Sequence, residues 1–309
     1  MDWNRRSIVA ALGALAPSAV AWAEPAPETG VNLKTGRDDQ ERMTIPVRIG
    51  NVEGYDFVVD TGADRSVLAS DVAAALGLPA GRKVLIHGIT GQEVTATVRC
   101  PALKVGEVTL PPQELPVIDR PRLGADGLLG MDVLQNRRLT LDFRQRRLDI
   151  RAASGASPAR LDPRWVIVPT DGVHGHLTII SARVGTIAAT AFVDSGASMT
   201  IANPALAQAM RSRRRWQSSA PQVTLAGVTD HAVTGEGRII PQLRLGTMSF
   251  SHVPVVVCDL HLFRQWRLDD RPAILLGVDV LRMFAKVELD YGRRRLLFRA
   301  GQAPPPLMA

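Results

Sequence analysis

One eight-residue pattern occurs twice in this chain and constrains the fold more than any other feature. The stretch "FVVDTGAD", which contains Asp60, is echoed 134 residues later by "AFVDSGAS", which contains Asp194. In both copies an apolar run leads into an Asp that is followed by a hydroxyl residue, a Gly and an Ala. This pattern predicts a buried strand that ends in a tight turn. Its repetition indicates a duplicated unit.

The similarity between the two halves extends beyond the Asp motif and keeps the same order. "IHGITGQEV" corresponds to "LAGVTDHAV", "PALKVGEVTL" to "PQLRLGTMSF", "DGLLGMDVLQ" to "AILLGVDVLR", and "LTLDFRQRRLDI" to "VELDYGRRRLLF". The segments are short, rich in Val, Ile, Thr and Leu, and separated by Gly and Pro, which is typical of strands. We therefore predict a mostly β, bilobal protein with a pseudo-twofold duplication and short helices.

Brief helices are predicted at residues 70–76 and 204–212, after the two Asp motifs. Short turns are predicted after Gly130 and Gly277. Asp132 and Asp279 are interpreted as caps of those turns, because Asp accepts hydrogen bonds from free backbone N–H groups at helix starts.

The N-terminus has the pattern of an export signal. Arg5 and Arg6 precede an apolar run, and the small residues before Ala23 fit a cleavage site. We expect residues 1–23 to be a signal peptide, with export to the periplasm or beyond by the general secretory or the twin-arginine route. An uncleaved anchor is the alternative, disfavoured because the apolar run is short and contains Pro17.

The rest of the chain divides by composition. Residues 24–39 are predicted to be a flexible N-terminal segment, 40–152 an N-terminal lobe, 153–163 a linker, 164–300 a C-terminal lobe, and 301–309 a flexible tail.

Composition argues against several other classes of protein. Only two cysteines are present, Cys100 and Cys258, and no Cys/His cluster suggests a metal, so we expect neither metal nor cofactor. An exported protein can form a disulfide, but two cysteines at non-equivalent places in the repeat do not establish one. The formal charge of +7 is explained by solvated arginines, and we expect no nucleic-acid partner.

The paired aspartates predict a specific chemistry if the two halves bring them together. Two carboxylates a few ångströms apart resist being ionised together, so the pair holds one proton over a working range of pH. Such a pair can activate water on one side and protonate a carbonyl or a leaving nitrogen on the other. This arrangement hydrolyses peptide bonds without a metal or a covalent nucleophile, and it explains the duplication.

On these motifs the sequence resembles the retropepsin-like aspartic proteases, in particular the single-chain, two-lobed bacterial periplasmic type. "DTGAD" is similar to the family's D-T-G-A-D, "DSG" to its D-S-G variant, and the two "LLG" segments ending at Gly130 and Gly277 to its apolar-apolar-Gly signature. The resemblance covers nearly all of residues 40–299. It implies one retropepsin-like (acid-protease) barrel in each lobe.

The resemblance also implies roles for individual residues. Asp60 and Asp194 would be the catalytic pair. Supporting them, Thr61 and Ser195 would hydrogen-bond across the pseudo-twofold axis, and Gly62 and Gly196 would let backbone N–H groups reach the carboxylates.

Other residues of the resemblance concern the substrate. Two glycine-bearing turns are candidate flaps, with Gly88 and Ile89 in one and Gly227 and Val228 in the other. Asp64 and Ser198 occupy equivalent places, so substrate recognition should differ between the lobes. For Asp64, binding of substrate backbone, capping of the next turn and pairing with Arg65 all remain open, because Met131 stands where retroviral enzymes commonly carry Arg.

The expected function is that of an exported aspartic endopeptidase. Its partner would be an extended peptide segment of an envelope protein, with membrane contact only through the substrate or an uncleaved signal. We expect a monomer, since an internally duplicated dimer has no need to pair again. Ala63 and Ala197 stand where pepsin-like enzymes usually carry a hydroxyl, which predicts activity nearer neutral pH than strongly acid pH.

Three alternatives compete with this interpretation. The first is a non-catalytic peptide-binding protein on the same fold. The second is glycoside hydrolysis by paired carboxylates, disfavoured because aromatic residues are only 5% of the chain. The third is that the Asp-x-Gly motifs are simply turns of a duplicated β domain.

Overall fold

A computed structural model describes residues 30–134, 137–152, 164–170, 178–211 and 221–300. The predicted signal peptide, linker and C-terminal tail lie outside the described residues.

The first half of the described chain is mostly β. In chain order its elements are β1 (Gly30–Lys34), β2 (Gly36–Arg37), β3 (Met43–Ile49), β4 (Val52–Val59), β5 (Val67–Ala69), α1 (Ser70–Ala75), β6 (Ala80–His87), β7 (Gln92–Cys100), β8 (Leu103–Val105), β9 (Val108–Leu110), β10 (Gln113–Ile118), α2 (Arg120–Leu123), β11 (Gly127–Leu129), α3 (Met131–Leu134), β12 (Arg137–Asp142) and β13 (Arg147–Ala152).

The second half repeats this series with fewer breaks. Its elements are β14 (Trp165–Pro169), β15 (Thr178–Val184), β16 (Ile187–Val193), β17 (Ile201–Ala202), α4 (Pro204–Arg211), β18 (Gln222–Ala226), β19 (Ala232–Leu245), β20 (Met248–Val257), α5 (His261–Gln265), β21 (Ala273–Leu276), α6 (Val278–Leu281), β22 (Phe284–Asp290) and β23 (Arg295–Ala300). The two helices predicted after the Asp motifs are α1 and α4, each within a residue of the expected end.

Each lobe is built on the same circuit of strands. In the second lobe the order β15-β16-β21-β17-β20-β19 closes into a barrel, because β19 also pairs with β15. In the first lobe the corresponding order is β3-β4-β11-β5-β10-β7, and β8 returns to β3. There the long strand is interrupted at Pro101, which lacks a backbone N–H. The predicted mostly β, bilobal, duplicated architecture is confirmed.

A third sheet joins the lobes. Its order is β1-β13-β12-β22-β23-β14, so each lobe contributes its C-terminal hairpin and one outer strand. At the centre β12 pairs antiparallel with β22, with Leu139 opposite Leu289. Leu139, Leu141, Val287 and Leu289 are all buried. Burial of these apolar side chains fixes the two lobes against each other, since apolar burial is the main favourable term in association.

The predicted flexible segment at 24–39 requires correction over its described part. From Gly30 to Lys34 the chain forms β1, which pairs along its whole length with β13. Val31 and Leu33 are half-buried against the core. The strand is the counterpart of β14 on the opposite edge of the joining sheet. The prediction failed because "GVNLK" contains only two apolar residues, and a single half-buried edge strand carries little sequence signal.

This edge strand yields a first prediction. A chain that begins at residue 36 is expected to lose about 2–3 kcal/mol of unfolding free energy relative to one that begins at residue 30, because two half-buried apolar side chains and one ladder of hydrogen bonds are removed. Urea unfolding followed by fluorescence measures the difference. Leu33→Ser in the longer chain should lower the free energy of unfolding by about a third to a half of this difference. Equal unfolding midpoints for the two lengths would contradict a structural role for β1.

Among the described residues no helix is long and apolar enough to cross a membrane.

Candidate active site

The two Asp motifs occupy equivalent places at the ends of buried parallel strands. Asp60 follows β4, and its N–H donates to the carbonyl of Leu129 in β11 at 3.0 Å. Asp194 follows β16, and its N–H donates to the carbonyl of Leu276 in β21 at 3.1 Å. Parallel pairing of β4 with β11 and of β16 with β21 therefore brings each Leu-Gly element beside an Asp loop.

Gly130 and Gly277 allow the Leu-Gly elements to pack against the backs of the Asp loops. A Cβ at Gly130 would lie 2.5 Å from the carbonyl carbon of Arg65, and one at Gly277 would lie 2.5 Å from the carbonyl oxygen of Met199. These distances are well inside van der Waals contact with backbone atoms that cannot easily move. A side chain at either glycine would therefore push an Asp loop forward.

The two aspartate side chains meet between the lobes. The carboxyl groups of Asp60 and Asp194 are hydrogen-bonded to each other. The N–H groups of Gly62 and Ala63 donate to Asp60 Oδ1 at 2.8 and 3.0 Å, and the N–H of Gly196 donates to Asp194 Oδ1 at 2.8 Å. As expected, backbone N–H groups at both glycines reach the carboxylates.

The same glycines also let the two loops approach. A Cβ at Gly62 would lie 2.6 Å from Asp194 Cγ, and one at Gly196 would lie 2.3 Å from Asp60 Cγ. Each loop therefore needs a residue without a side chain where the carboxyl group of the other loop packs against it.

Thr61 and Ser195 form a reciprocal set of hydrogen bonds across the lobe interface. Thr61 N–H donates to Ser195 Oγ at 3.1 Å, and Ser195 N–H donates to Thr61 Oγ1 at 3.0 Å. The hydroxyls donate in turn to backbone carbonyls of the opposite lobe, Ser195 Oγ to Val59 at 2.6 Å and Thr61 Oγ1 to Val193 at 3.3 Å. Both side chains are buried. This contact holds the two Asp loops in register.

The environment favours one shared proton on the pair. Burial raises the pKa of Asp194 to about 8, and the negative charge of Asp60 acts in the same direction. Burial also raises the pKa of Asp60, but the N–H of Gly62 and the positive charge of Arg42 oppose that shift. Both carboxyl groups are therefore harder to ionise than a free aspartate, and the interactions with Gly62 and Arg42 favour Asp60 over Asp194 as the ionised member of the pair.

This shift predicts how stability depends on pH. Because the folded pKa of Asp194 lies above its ordinary value of 3.8, the folded protein holds a proton that the unfolded chain has lost between about pH 4 and 8. The free energy of unfolding should fall as pH rises through this window. Urea unfolding at pH 5 and pH 8 tests this, and Asp194→Asn should show a shallower fall than wild type. The exposed Asp56→Asn serves as control, and an equal slope in all three proteins would contradict the shift.

Two further polar pairs support the loops. They correct the assignment of Asp132 as a cap of its own turn, whereas Asp279 also accepts the N–H of Val280 in its own turn at 2.7 Å. Asp132 Oδ1 accepts hydrogen bonds from the N–H and Oγ of Ser66 at 3.0 and 2.7 Å. Asp279 accepts from the N–H and Oγ1 of Thr200 at 2.9 and 2.7 Å. The partners are 66 and 79 residues away in sequence, so a local reading of turns could not find them.

The two candidate flaps meet at their tips. Thr90 Oγ1 lies 3.1 Å from Thr229 Oγ1, and both side chains are buried. Gly88 lies against Val228, and Ile89 packs on an apolar cluster of the second lobe that includes Leu262. The β6–β7 and β18–β19 hairpins thus cross to the opposite lobe, as two closed flaps would. The predicted role in substrate binding stays a prediction.

Glu93 adds a polar contact between the flaps that the sequence analysis missed. Glu93 Oε2 accepts the N–H of Asp230 in the opposite tip at 2.9 Å and pairs with Arg122 of α2 at 2.7 Å. The pair is only about one quarter exposed. The corresponding residue of the second hairpin is Ala232, so this contact exists on one side only. Comparing the two repeats position by position was the signal that could have found it.

On the other side, two histidines join the first flap to the second lobe. His87 Nδ1 lies 3.1 Å from His261 Nε2, and the rings are stacked with centroids 5.4 Å apart. The pKa of His261 is lowered by burial and then by the charges of His87 and Arg264. His231 of the second flap acts in the same direction, and Gln265 opposes it.

The pKa of His261 is lower in the folded protein than its ordinary value of 6.5. The contact with His87 therefore contributes its full stability above about pH 6.5, and this stability is lost as the pH falls through the folded pKa. We expect amide exchange at residues 86–92 to quicken about fivefold or more, beyond the intrinsic pH effect, when pH falls from 7.5 to 5.5. His87→Gln should remove the excess, whereas the exposed His252→Gln should keep it. Identical protection factors at the two pH values would show that this contact does not hold the flap in a pH-dependent way.

The remaining predicted residues are placed less specifically. Asp64 is exposed and Ser198 half-buried, each two residues beyond the Gly of its loop. Their proposed part in substrate selection stays a prediction. Cys100 and Cys258 are both buried and free, so this structure contains no bond between them.

Comparison with known families agrees with the fold. The family model for aspartyl proteases matches residues 45–133 and 180–280, more than half of the chain. The matched regions begin in β3 and β15, two strands before the Asp loops, and end in the helices after the Leu-Gly elements, so the match covers both repeats. The chain belongs to the aspartyl protease family. Among curated proteins none matches the chain significantly.

Proposed function

We propose that the protein is an exported endopeptidase that hydrolyses peptide bonds through a water molecule activated by Asp60 and Asp194. One observation carries this proposal: two carboxyl groups from symmetric loops are hydrogen-bonded to each other in a buried site that raises the pKa of both. A binding protein has no need of both carboxyl groups, whereas hydrolysis needs one as base and the other as acid.

The mechanism follows from the positions of the proton and the charge. Asp60, the ionised partner, takes a proton from the water that attacks the scissile carbonyl carbon. Asp194, the protonated partner, donates its proton to the carbonyl oxygen as the tetrahedral diol forms. When the C–N bond breaks, Asp60 returns its proton to the leaving nitrogen, and a proton of the diol passes back to Asp194. The pair then regains its starting state, with no net change in protons.

The substrate class is inferred from the shape of the site. An extended peptide would lie between the lobes as an added β-strand, with alternate side chains in the walls on each side. The walls differ, since the first lobe offers the Arg122–Glu93 pair and the second offers Leu262 beside His261. Asp64 and Ser198 add to this asymmetry, which favours recognition of particular sequences over general digestion.

Export and assembly are part of the proposal. The signal-like N-terminus supports action on envelope proteins in the periplasm or outside the cell. The joining sheet already pairs the two halves, which supports a monomer. Among the described residues no group of three or more His, Cys, Asp or Glu side chains is arranged to hold a metal ion. The proposed mechanism requires no cofactor.

The test is cleavage of a mixed peptide library by residues 24–309, analysed by mass spectrometry near neutral pH. Wild type should produce defined cleavage sites, and Asp60→Asn and Asp194→Asn should each abolish them. Asp56→Asn, which also removes one carboxylate but on the surface, should cleave as wild type does. Cleavage that survives in either active-site variant would refute the mechanism.

The same experiment separates the main alternative. If wild type cleaves nothing at any pH between 4 and 8 but retains particular peptides on a column, the protein is a binder built on a protease fold. In that case Asp60→Asn should still bind them.

A further inference from the structure

Arg42 is a buried arginine that the proposed mechanism does not use, and it lies at the lobe interface. It stands directly before β3 and is 5% exposed. Its Nε donates to Asp38 Oδ2 at 2.6 Å, its Nη1 to the carbonyl of Gly196 at 3.3 Å, and its Nη2 to the carbonyl of Leu123. The guanidinium therefore links the first lobe to the loop that carries Asp194.

The orientation of Arg42 is held by a closed loop of its own chain. Asp38 Oδ1 accepts the N–H of Arg42 at 2.8 Å and that of Gln40 at 3.1 Å, and Asp38 N–H donates to the carbonyl of Arg42 at 3.1 Å. The Asp38 side chain is only 2% exposed. A buried ion pair adds little stability compared with apolar residues of the same size, so its presence here points to a role beyond stability.

The sequence of the second half has no cation at the position equivalent to Arg42. Thr44 pairs with Val58 in the first lobe, and Ile179 pairs with Phe192 in the second. Counting back two residues from each, the counterpart of Arg42 is Leu177, an uncharged residue that lies outside the described part of the chain. The repeat therefore carries a positive charge at this position in the first half and not in the second.

We propose that Arg42 is a positioning residue for the carboxyl pair, which fixes the Gly196 carbonyl and, through its one-sided charge, keeps the negative charge on Asp60 and the proton on Asp194. The catalytic consequence rests on the proposed protease function. The inequivalence of the two carboxyl groups does not. It follows that Asp60 is the base and Asp194 the acid, so a peptide is attacked in one orientation.

The electrostatics agree with this arrangement. The positive charge of Arg42 lowers the pKa of Asp60 against the effect of burial, whereas the pKa of Asp194 is raised by burial and by Asp60. The other charged groups on the Arg42 loop are Asp38, which is its ion-pair partner, and the exposed residues Arg37, Asp39 and Glu41. Glu41 pairs with Arg37 and with Arg282, which follows α6.

The experiment is a titration of the resting protein by carbon-13 NMR of the aspartate carboxyl groups. Asp38→Asn combined with Arg42→Gln removes the buried pair without leaving an unpaired charge. We expect the lower of the two dyad pKa values to rise by about one unit in this double variant, the lower end of the effect of a nearby opposite charge. Arg42→Lys keeps the charge and should titrate as wild type. Arg37→Gln removes one exposed positive charge and should also titrate as wild type.

The outcomes are separable. An unchanged titration in the double variant would overturn the proposal. A shift in Arg37→Gln as large as that in the double variant would also overturn it, because the shift would then come from the net charge of the protein and not from the position of Arg42. A titration that shifts in a protein that cleaves nothing would reject the protease function while supporting the role of Arg42. If the protein is active, the acidic limb of its kcat/KM profile should move up by the same unit in the double variant. Arg42→Lys should keep the limb and lower kcat, because Lys holds the Gly196 carbonyl less firmly.

Discussion

Gly196→Ala is expected to reduce peptide cleavage by at least about 100-fold, because the new Cβ would lie 2.3 Å from Asp60 Cγ. Relief of that overlap requires either the carboxyl group or the whole loop to move, and both reactive oxygens would leave their shared position. Gly62→Ala should act in the same way through Asp194, at 2.6 Å. We expect each to lower the free energy of unfolding by about 1–3 kcal/mol, the usual cost of overpacking.

Gly77→Ala is the matched control for this prediction. A Cβ at Gly77 meets nothing within 4 Å, but the residue has a φ of +58°. Its replacement should therefore cost about 1–2 kcal/mol of backbone strain and leave kcat unchanged. Steady-state kinetics and urea unfolding on the three variants measure both effects. Wild-type kinetics in Gly196→Ala would mean that the two Asp loops do not touch in the working protein.

The second large effect is expected for Ser195→Ala. This substitution leaves the Thr61 N–H and the Val59 carbonyl buried without their partner, and each unsatisfied group costs about 1–3 kcal/mol. The free energy of unfolding should fall by about 2–4 kcal/mol in total. Activity should fall as well, because the hydroxyl contact sets the relative position of the two aspartates.

A double-mutant cycle with Thr61→Val tests whether the two hydroxyl residues act together. Thr61 and Ser195 share two of their four hydrogen bonds, so we expect a coupling energy of about 1 kcal/mol or more. Ser70→Ala, which removes an exposed hydrogen bond to Asp119, should change stability by less than about 0.5 kcal/mol. Strict additivity of Thr61→Val and Ser195→Ala would contradict a shared interlobe contact.

The repeated motif was sufficient to predict the architecture and the meeting of the two aspartates. The apolar run before each Asp is a buried strand, and each Leu-Gly element packs behind it, as the pattern indicated. These features are local in sequence and appear twice, so two weak signals reinforce each other. The family match over both regions confirms the resemblance on which the residue roles were based.

Other parts of the site could not be read in this way. The strand at Gly30–Lys34, the Ser66–Asp132 pair and the flap contact at Glu93 each depend on a partner 50 residues or more away, and none has a local pattern of its own. Arg42 is the clearest case, since a single Arg before a strand is usually a solvated surface residue. Only its burial against Gly196 distinguishes it.

The sequence by itself determined that two equivalent turns, each bearing an Asp, stand at the ends of buried strands in a duplicated β protein. The apolar pattern of a strand and the residue types of a turn are encoded locally, and their repetition in the two halves strengthened the prediction. Only the tertiary structure decided that the two carboxyl groups differ. Arg42 contributes to their inequivalence, because its charge lowers the pKa of Asp60, and that effect depends on distances across the lobe interface that no run of residues encodes. The sequence repeat predicts two equivalent Asp loops, and the packing of the lobes gives the two carboxyl groups different surroundings.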